Sequence, residues 1–286
     1  MMVKRPAVAV VIPAYNRRDF IEEAVSSVLS QSFTDFELVV VDDGSTDGTG
    51  ELVRQRFCDE RLKVISERNM GVSAARNRGV RESSAPLIAF LDSDDYWLDE
   101  KLSVQLDSMR EAGARISYTG EVWYRRGKWA NPCSHHAKHS GDIFSKCLAL
   151  CIISPSSVLM ERSLFEEVGR FDETMPACED YDLWLRIAAR CHVDFCPEKL
   201  IVKRNGHEGQ LSHEIWGLDR FRVAALWKLV YDTDIDDAKR SEALYWIKKK
   251  AKVVAGGAKK RGSLERANVF EHSLREADRW LKRLGR

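Results

Sequence analysis

The stretch "LIAFLDSDDYW", Leu87 to Trp97, runs apolar and then closes on three carboxylates, Asp92, Asp94 and Asp95, with Ser93 among them. Three like charges so close repel one another unless something positive sits between them. A second acidic stretch, "DDGSTDG" (Asp42 to Gly48), also follows an apolar run, and a third run ends in "PAYN" (Pro13 to Asn16). The chemistry these residues could share depends on whether the fold gathers them.

The elements that would position them alternate regularly over the first hundred residues. "AVAVVIP", "FELVVVDDG", "LKVISE" and "PLIAFLDSDD" read as strands. Helices are expected from Asp19 to Ser30 with Asp19 as N-cap, from about Thr46 to Phe57, and from about Val72 to Glu82. Continuous Val/Ile/Leu runs bounded by polar turns suit strands buried on both faces. Strand–helix alternation at this spacing implies a doubly wound, mostly parallel α/β sheet. In such a sheet ligands bind outside the carboxyl ends of the strands, so all three polar stretches fall on one edge.

Beyond Trp97 the pattern is less regular. A helix is expected from about Asp99 to Ala112, followed by two strands in "RISYTGEVWYRRGKW" and a His-rich loop from Asn131 to Ser140. A short helix near Asp142–Cys151, the strand "SSVLME", the helix "SLFEEVG", a helix starting near Glu179 and the strand "HVDFCPEKLIVKR" complete the α/β part. From about Leu218 the chain reads as helical, with a break at Gly256 and Gly257 and a hairpin over the last fifty or so residues.

The 286 residues are 44% apolar and 31% charged, with a net charge of +1. That is an ordinary globular composition with room for one large domain and an appendage. No run reaches the roughly 18 apolar residues of a membrane span, and the N-terminal run lacks a small-residue cleavage site, so no signal peptide is expected. Seven scattered cysteines without a C-x-x-C pair point to reduced thiols in the cytoplasm. From Ala238 onward Lys and Arg exceed acids by roughly ten, and "ALYWIKKKAKVV" is basic and partly amphipathic. A solvated face is the default for it, and peripheral contact with anionic lipid the alternative. No nucleic-acid partner is expected.

Strand one is followed by PAYN rather than a glycine fingerprint, and no G-x-x-x-x-G-K-[ST] loop occurs, so neither of the usual phosphate cradles is present. A diphosphate at this acidic edge would need Mg²⁺ or Mn²⁺ held by one or two carboxylates plus its own oxygens. Tyr15 offers a ring and Asp43 an acceptor for a base N–H. Each loop also has a blander reading: Ser45 and Asp47 as turn and cap residues, Tyr15 and Asn16 as turn residues, and Asp95 as a turn or capping acid.

At the level of motifs, "VAVVIPAYNRRDFIEEAVSSVLSQSFTDFELVVVDDGSTDGT", "GVSAARNRG", "IAFLDSDD" and "GRFDE…CEDYDLWLR" closely resemble the inverting family 2 glycosyltransferases of the GT-A fold. The resemblance covers roughly two thirds of the chain. It implies that Pro13, Ala14, Tyr15 and Asn16 line a nucleotide pocket, that Asp43 bonds the base (usually uracil), and that Arg76 lies near the diphosphate. Asp92-Ser93-Asp94 stands where the family's D-x-D motif does, Asp92 toward ribose and metal and Asp94 as direct metal ligand. Glu179-Asp180 matches the E-D motif, whose Asp is the catalytic base; N-terminal helix capping is the alternative use. His207 is the implied late metal ligand, with His213 second.

The resemblance implies transfer of a sugar from a nucleotide-diphosphate donor to a glycan or lipid-linked glycan acceptor, in cell-surface polysaccharide synthesis at the inner membrane face. The implied organisation is a GT-A domain over 1–217, split into a donor half (1–97) and an acceptor and catalytic half (98–217), with a helical extension over 218–286. A nucleotidyltransferase and a non-catalytic nucleotide-sugar-binding module are the competing classes. The group Cys133, His135, His136 and His139 matches no standard closed zinc spacing and reads as a loop over the acceptor side. Trp123, Tyr124 and Trp129 would either stack on an acceptor sugar or pack internally.

Overall fold

The computed structural model describes residues 5–125, 128–130, 137–206 and 215–285. The chain divides into two units, each described on its own. Unit 1 comprises residues 1–141, 152–174 and 192–208; unit 2 comprises residues 142–151, 175–191 and 209–286.

Unit 1 holds the sheet. Its strands among the described residues are β1 (Val8–Ala14), β2 (Phe36–Asp42), β3 (Leu62–Ser66), β4 (Leu87–Phe90), β5 (Tyr96–Trp97), β6 (Ile116–Arg125), β7 (Lys128–Ala130), β8 (Val158–Glu161) and β9 (Asp194–Asn205). The order is β3-β2-β1-β4-β8-β6-β9-β5, with β7 pairing only to β6. The first four strands are parallel. β8 then runs antiparallel to β4 and to β6, β9 runs parallel to β6, and β5 antiparallel to β9, so the sheet is mixed. Every residue of β1 is buried, as a strand in mid-sheet with cover on both faces requires.

Pro13 stands in this central strand although it has no N–H to give. It lies past the last β1–β4 pair, Val11↔Phe90, where no β4 carbonyl awaits a donor. Gly79 lets the helix after β3 press onto β1: a Cβ there would lie 2.3 Å from Val11 Cγ1.

The helices of unit 1 are α1 (Ile21–Leu29), α2 (Thr49–Arg56), α3 (Val72–Arg81) and α4 (Lys101–Glu111), then, after a helix belonging to unit 2, α6 (Arg162–Glu167). Two expected boundaries move. α1 is preceded by Phe20, not capped by Asp19; Phe20 and Ile21 both donate to the Arg17 carbonyl, so a turn at Arg17 leads into the helix. α2 starts at Thr49 rather than Thr46, because Asp47 is spent on the entry turn, accepting from the Thr49 N–H (2.9 Å) and hydroxyl (2.5 Å) and the Arg18 N–H (3.1 Å).

Unit 2 is helical: α5 (Phe144–Ala149), α7 (Glu179–Ala188), α8 (Asp219–Tyr231), α9 (Asp237–Lys260) and α10 (Leu264–Arg283). Asp236 caps α9, accepting from the Lys239 N–H at 2.8 Å. The expected break at Gly256-Gly257 is absent, and α9 runs through both. A helical glycine costs only about 1 kcal/mol relative to Ala, and the flanking Ala251, Val254, Ala255 and Ala258 are buried and hold the helix. The stop comes at Gly262, in the left-handed region with φ +72°. α9 and α10 form the expected hairpin, tied in antiparallel register by Lys259–Glu271 (2.5 Å) and Lys248–Asp278 (2.6 Å). No helix among the described residues is long and apolar enough to cross a membrane.

Candidate active site

The carboxyl ends of β1, β2 and β4 are neighbours, so the sheet gathers "PAYN", "DDGSTDG" and "LDSDD" on one edge of unit 1. The first two loops are stitched together. Asn16 adopts a left-handed backbone (φ +52°); its N–H donates to Ser45 Oγ at 2.9 Å and its Oδ1 accepts from the Thr46 N–H at 2.8 Å. Asn16 and Ser45 therefore do the turn work the blander reading gave them. Pro13 and Ala14 are buried in β1 and form the floor of this edge, while Tyr15 is 46% exposed, a ring open to the solvent side.

Asp43 is buried, and its carboxylate takes the Met70 N–H (2.7 Å) on one oxygen and the Gly71 N–H (2.9 Å) on the other. Burial raises its pKa against these two donors. It thus holds the loop entering α3, the helix that carries Arg76.

Arg76 supplies positive charge to the acidic loop. Its guanidinium meets Asp92 Oδ1 at 2.7 Å and lies 5.0 Å over the Phe171 ring, with the arginine side chain 4% and the aspartate 26% exposed. Ser93 is buried and Asp94 half-buried.

Asp95 departs from its reading as a turn or capping acid. It is 2% exposed, accepting the Ser156 hydroxyl at 2.7 Å and the Arg204 N–H of β9 at 3.0 Å. Ser156 in turn accepts the Asp92 N–H at 3.1 Å. Burial, then the charge of Asp94, pushes the Asp95 carboxyl well above its ordinary range, with Lys203 opposing. For Lys203 burial opposes the ammonium, but Asp95, Glu121, Asp92 and Asp94 more than offset it and raise its pKa. Burial likewise opposes the Glu121 carboxylate, yet Lys203 and Lys138 hold it below its usual range. Lys138 reaches Glu121 at 3.1 Å and Ser154 donates to it at the same distance. Beneath the acidic loop lies a layer of alternating charge that the local sequence does not announce. Its one trace is an acid inside "YTGEVWY" and a lysine near the end of "LIVKR", and the parallel pairing of β6 with β9 that joins them is a tertiary fact.

Hard carboxylate oxygens from one loop suit Mg²⁺ or Mn²⁺. No group of three His, Cys, Asp or Glu side chains is gathered for a cation among the described residues. By their chemistry alone, the two carboxylates Asp92 and Asp94 would suit a cation that takes its remaining ligands from substrate phosphate oxygens. His207, His213, Cys133, His135 and His136 lie outside the described residues. Trp123 donates to Glu121 at 2.8 Å, whereas Trp129, 65% exposed, packs edge-on to Tyr124 at 5.1 Å.

The other acidic pair belongs to unit 2. Cys178 turns the chain into α7 through a left-handed backbone (φ +62°), so Glu179, Asp180 and Asp182 fall in the first turn, where the helix dipole favours carboxylates. Glu179 is buried and Asp180 half-buried. Asp180 Oδ1 accepts the neighbouring Tyr181 N–H at 2.7 Å, a local helix-end bond, and Oδ2 accepts the Cys151 thiol at 3.3 Å. The second bond serves no capping purpose. Asp182 instead pairs with Arg186 and Lys228, each at 2.7 Å.

Set beside known proteins, residues 9–169 match the family model described as glycosyl transferase family 2. The match covers more than half of the chain, and the chain belongs to this family of glycosyltransferases. The nucleotidyltransferase reading gives way accordingly. Among its relatives, a UDP-Glc:alpha-D-GlcNAc-diphosphoundecaprenol beta-1,3-glucosyltransferase of Escherichia coli is 34% identical over 185 residues, 63% of this chain and 69% of the relative. A putative teichuronic acid biosynthesis glycosyltransferase of Bacillus subtilis is 45% identical over 118 residues, 41% and 47% of the two chains. An uncharacterized glycosyltransferase of Rickettsia conorii is 36% identical over 184 residues, and this chain spans 30% of its length. In solved structures the fold resembles TarS 1–349 of S. aureus in complex with UDP-GlcNAc, with a TM-score of 0.71, 18% identity and 94% and 92% of the chains covered. It also resembles a mannosyltransferase of Pyrobaculum calidifontis in complex with GDP-Man and Mn²⁺, with a TM-score of 0.65, 20% identity and 99% and 85% covered. The fold is GT-A, a mixed α/β sheet with flanking helices and a helical C-terminal region.

Proposed function

We propose that this chain moves a sugar, with inversion, from a UDP-sugar to a hydroxyl of a glycan or lipid-linked glycan acceptor in cell-surface polysaccharide synthesis. The observation that carries this is the edge of unit 1, where a buried arginine and an acidic D-x-D loop meet beside an exposed tyrosine and a buried aspartate. Tyr15 would stack on the base, Pro13 and Ala14 would floor its pocket, Asn16 would hold the loop and Asp43 would fix the wall the base meets. Arg76 would share its charge between Asp92 and the diphosphate. Asp92 and Asp94, with His207 as third candidate, would hold Mn²⁺ or Mg²⁺, which when bound supplies Lewis-acid neutralisation of the leaving diphosphate.

Asp180 would take the acceptor hydroxyl's proton as that oxygen attacks the anomeric carbon from the face opposite the nucleotide, with Glu179 supporting it. A base of this kind contributes about 10²–10⁴-fold. The division into a catalytic domain over 1–217 and an extension over 218–286 belongs to the same proposal, as do a cytoplasmic location and peripheral membrane contact through the basic C-terminal helices. The lipid-linked acceptor follows the name of the Escherichia coli relative.

A thermal-shift screen of UDP- and GDP-sugars with Mn²⁺ or with EDTA tests this reading, since a ligand of the native state raises the melting point. A UDP-sugar is expected to stabilise the protein only with the metal. Stabilisation by GDP-sugars alone would overturn the donor, and equal stabilisation in EDTA would overturn the metal.

A further inference from the structure

We propose that Cys151 is a positioning residue for the reaction, its thiol donating to the Asp180 carboxylate and holding it in one orientation. The inference rests on the reading of Asp180 as base, and it concerns a side chain that neither the motifs nor the family match single out.

The geometry is local to unit 2. Cys151 follows α5, which packs on α7 through the Tyr181 hydroxyl bond to the Leu148 carbonyl (2.7 Å). Lys250 of α9 donates to the next carbonyl, Ala149, at 2.9 Å. These two bonds fix the end of α5 and hence where the Cys151 sulfur sits, 3.3 Å from Asp180 Oδ2. The other oxygen is held by the Tyr181 N–H. With one donor on each oxygen the carboxylate cannot rotate without losing a bond, and a proton acceptor in a transfer reaction needs a defined lone-pair direction.

The chemistry of the thiol suits the task. Burial, followed by the adjacent Asp180 charge, raises the Cys151 pKa well above its ordinary value. It therefore stays protonated and donates throughout the physiological range. A hydroxyl would do the same more strongly; a lysine would form an ion pair and cost basicity. Among the described residues the charged and titratable neighbours are Cys147 on α5; Cys178, Glu179 and Tyr181 on and before α7; Arg222 and Asp219 on α8; and Lys250 on α9. Arg222 pairs with Asp219 at 3.0 Å and lies 5.9 Å from the Tyr181 ring, while Asp182 is neutralised by Arg186 and Lys228. The cations named here have carboxylate partners of their own, and among the described residues the thiol is the side-chain donor on Asp180.

The test combines a substrate-free measurement with turnover. Carboxyl carbon NMR of ¹³C-aspartate-labelled full-length protein, with the Asp180 signal assigned through Asp180→Asn, follows the carboxyl titration in wild type, Cys151→Ala and Cys151→Ser. The Ala variant is expected to titrate at higher pH because the ionised form has lost a donor, and the Ser variant to return to or below wild type. In parallel, release of UDP is followed with UDP-glucose, Mn²⁺ and a GlcNAc-diphospholipid acceptor. Cys151→Ala is expected to lower kcat roughly five- to tenfold with the donor KM unchanged and the acid limb of the kcat–pH profile moved up, and Cys151→Ser to restore both. An unchanged titration in the Ala variant, or a shifted titration with unchanged kcat, overturns the proposal. Near wild-type turnover in Asp180→Asn overturns the base assignment instead, so the two failures are distinguishable. Circular dichroism and melting points of all three variants separate misfolding from loss of the bond.

Discussion

Unit 1 and unit 2 each present carboxylates at the end of a regular element, yet they manage the charge in opposite ways. On unit 1, Asp92, Asp94 and Asp95 crowd one loop, and the protein answers with cations: Arg76 on Asp92 and Lys203 among the remaining acids. On unit 2, Asp182 is claimed by Arg186 and Lys228, while Asp180 meets neutral donors, a backbone N–H and a thiol. The difference accords with the roles proposed for these carboxylates, metal binding for one set and proton acceptance for the other. A group that must bind a cation alongside a diphosphate tolerates nearby positive charge, because its ligands bring further charge of both signs. A group that must accept a proton would lose basicity to an adjacent ammonium, and neutral donors orient it at lower cost.

The sharpest way to break this comparison is Asp180→Asn. It removes the proton acceptor while keeping shape and polarity, so kcat should fall about 10²–10⁴-fold while nucleotide-sugar binding, measured by calorimetry, stays near wild type. Near-normal turnover would make the Asp180 environment a helix-end arrangement and nothing more. On unit 1 the matching change is Asp94→Asn. Calorimetry should show the Mn²⁺-dependent part of nucleotide-diphosphate affinity reduced about tenfold or more, near 1.4 kcal/mol, toward the value in EDTA. Affinity that still rises with Mn²⁺ as in wild type would remove Asp94 from the metal site.

A loss of stability rather than of binding separates the proposed binding acids from the buried one. Asp95→Ala leaves the Ser156 hydroxyl and the Arg204 N–H without their acceptor, a loss of about 1–3 kcal/mol. Chemical denaturation should report it as a lower midpoint, and an unchanged midpoint would return Asp95 to the role of a solvated turn acid.

Much of unit 1 was legible because its signals are local. The apolar runs of β1, β2 and β4 and the polar residues after them state both the strands and the edge on which those polar residues gather. The helix that begins at Glu179, with Glu179 and Asp180 in its first turn, was legible for the same reason. The failures share a cause as well. Asp19 looked like a cap, but a turn closing on the Arg17 carbonyl starts α1. Gly256-Gly257 looked like a break, but the buried residues around them in the α9–α10 hairpin hold the helix. Asp95 looked like a turn acid, yet residues 61 and 109 positions away satisfy it.

The sequence by itself determined the alternation of strands and helices, the family, and which carboxylates stand at which strand and helix ends, because these depend on spacing along the chain. Only the tertiary structure decided which cation or thiol meets each carboxylate. Arg76 reaches Asp92, Lys203 faces the acids from β9 and Cys151 reaches Asp180 because parallel pairing and helix packing bring together residues far apart in sequence. Electrostatic energy falls with distance in space, not along the chain.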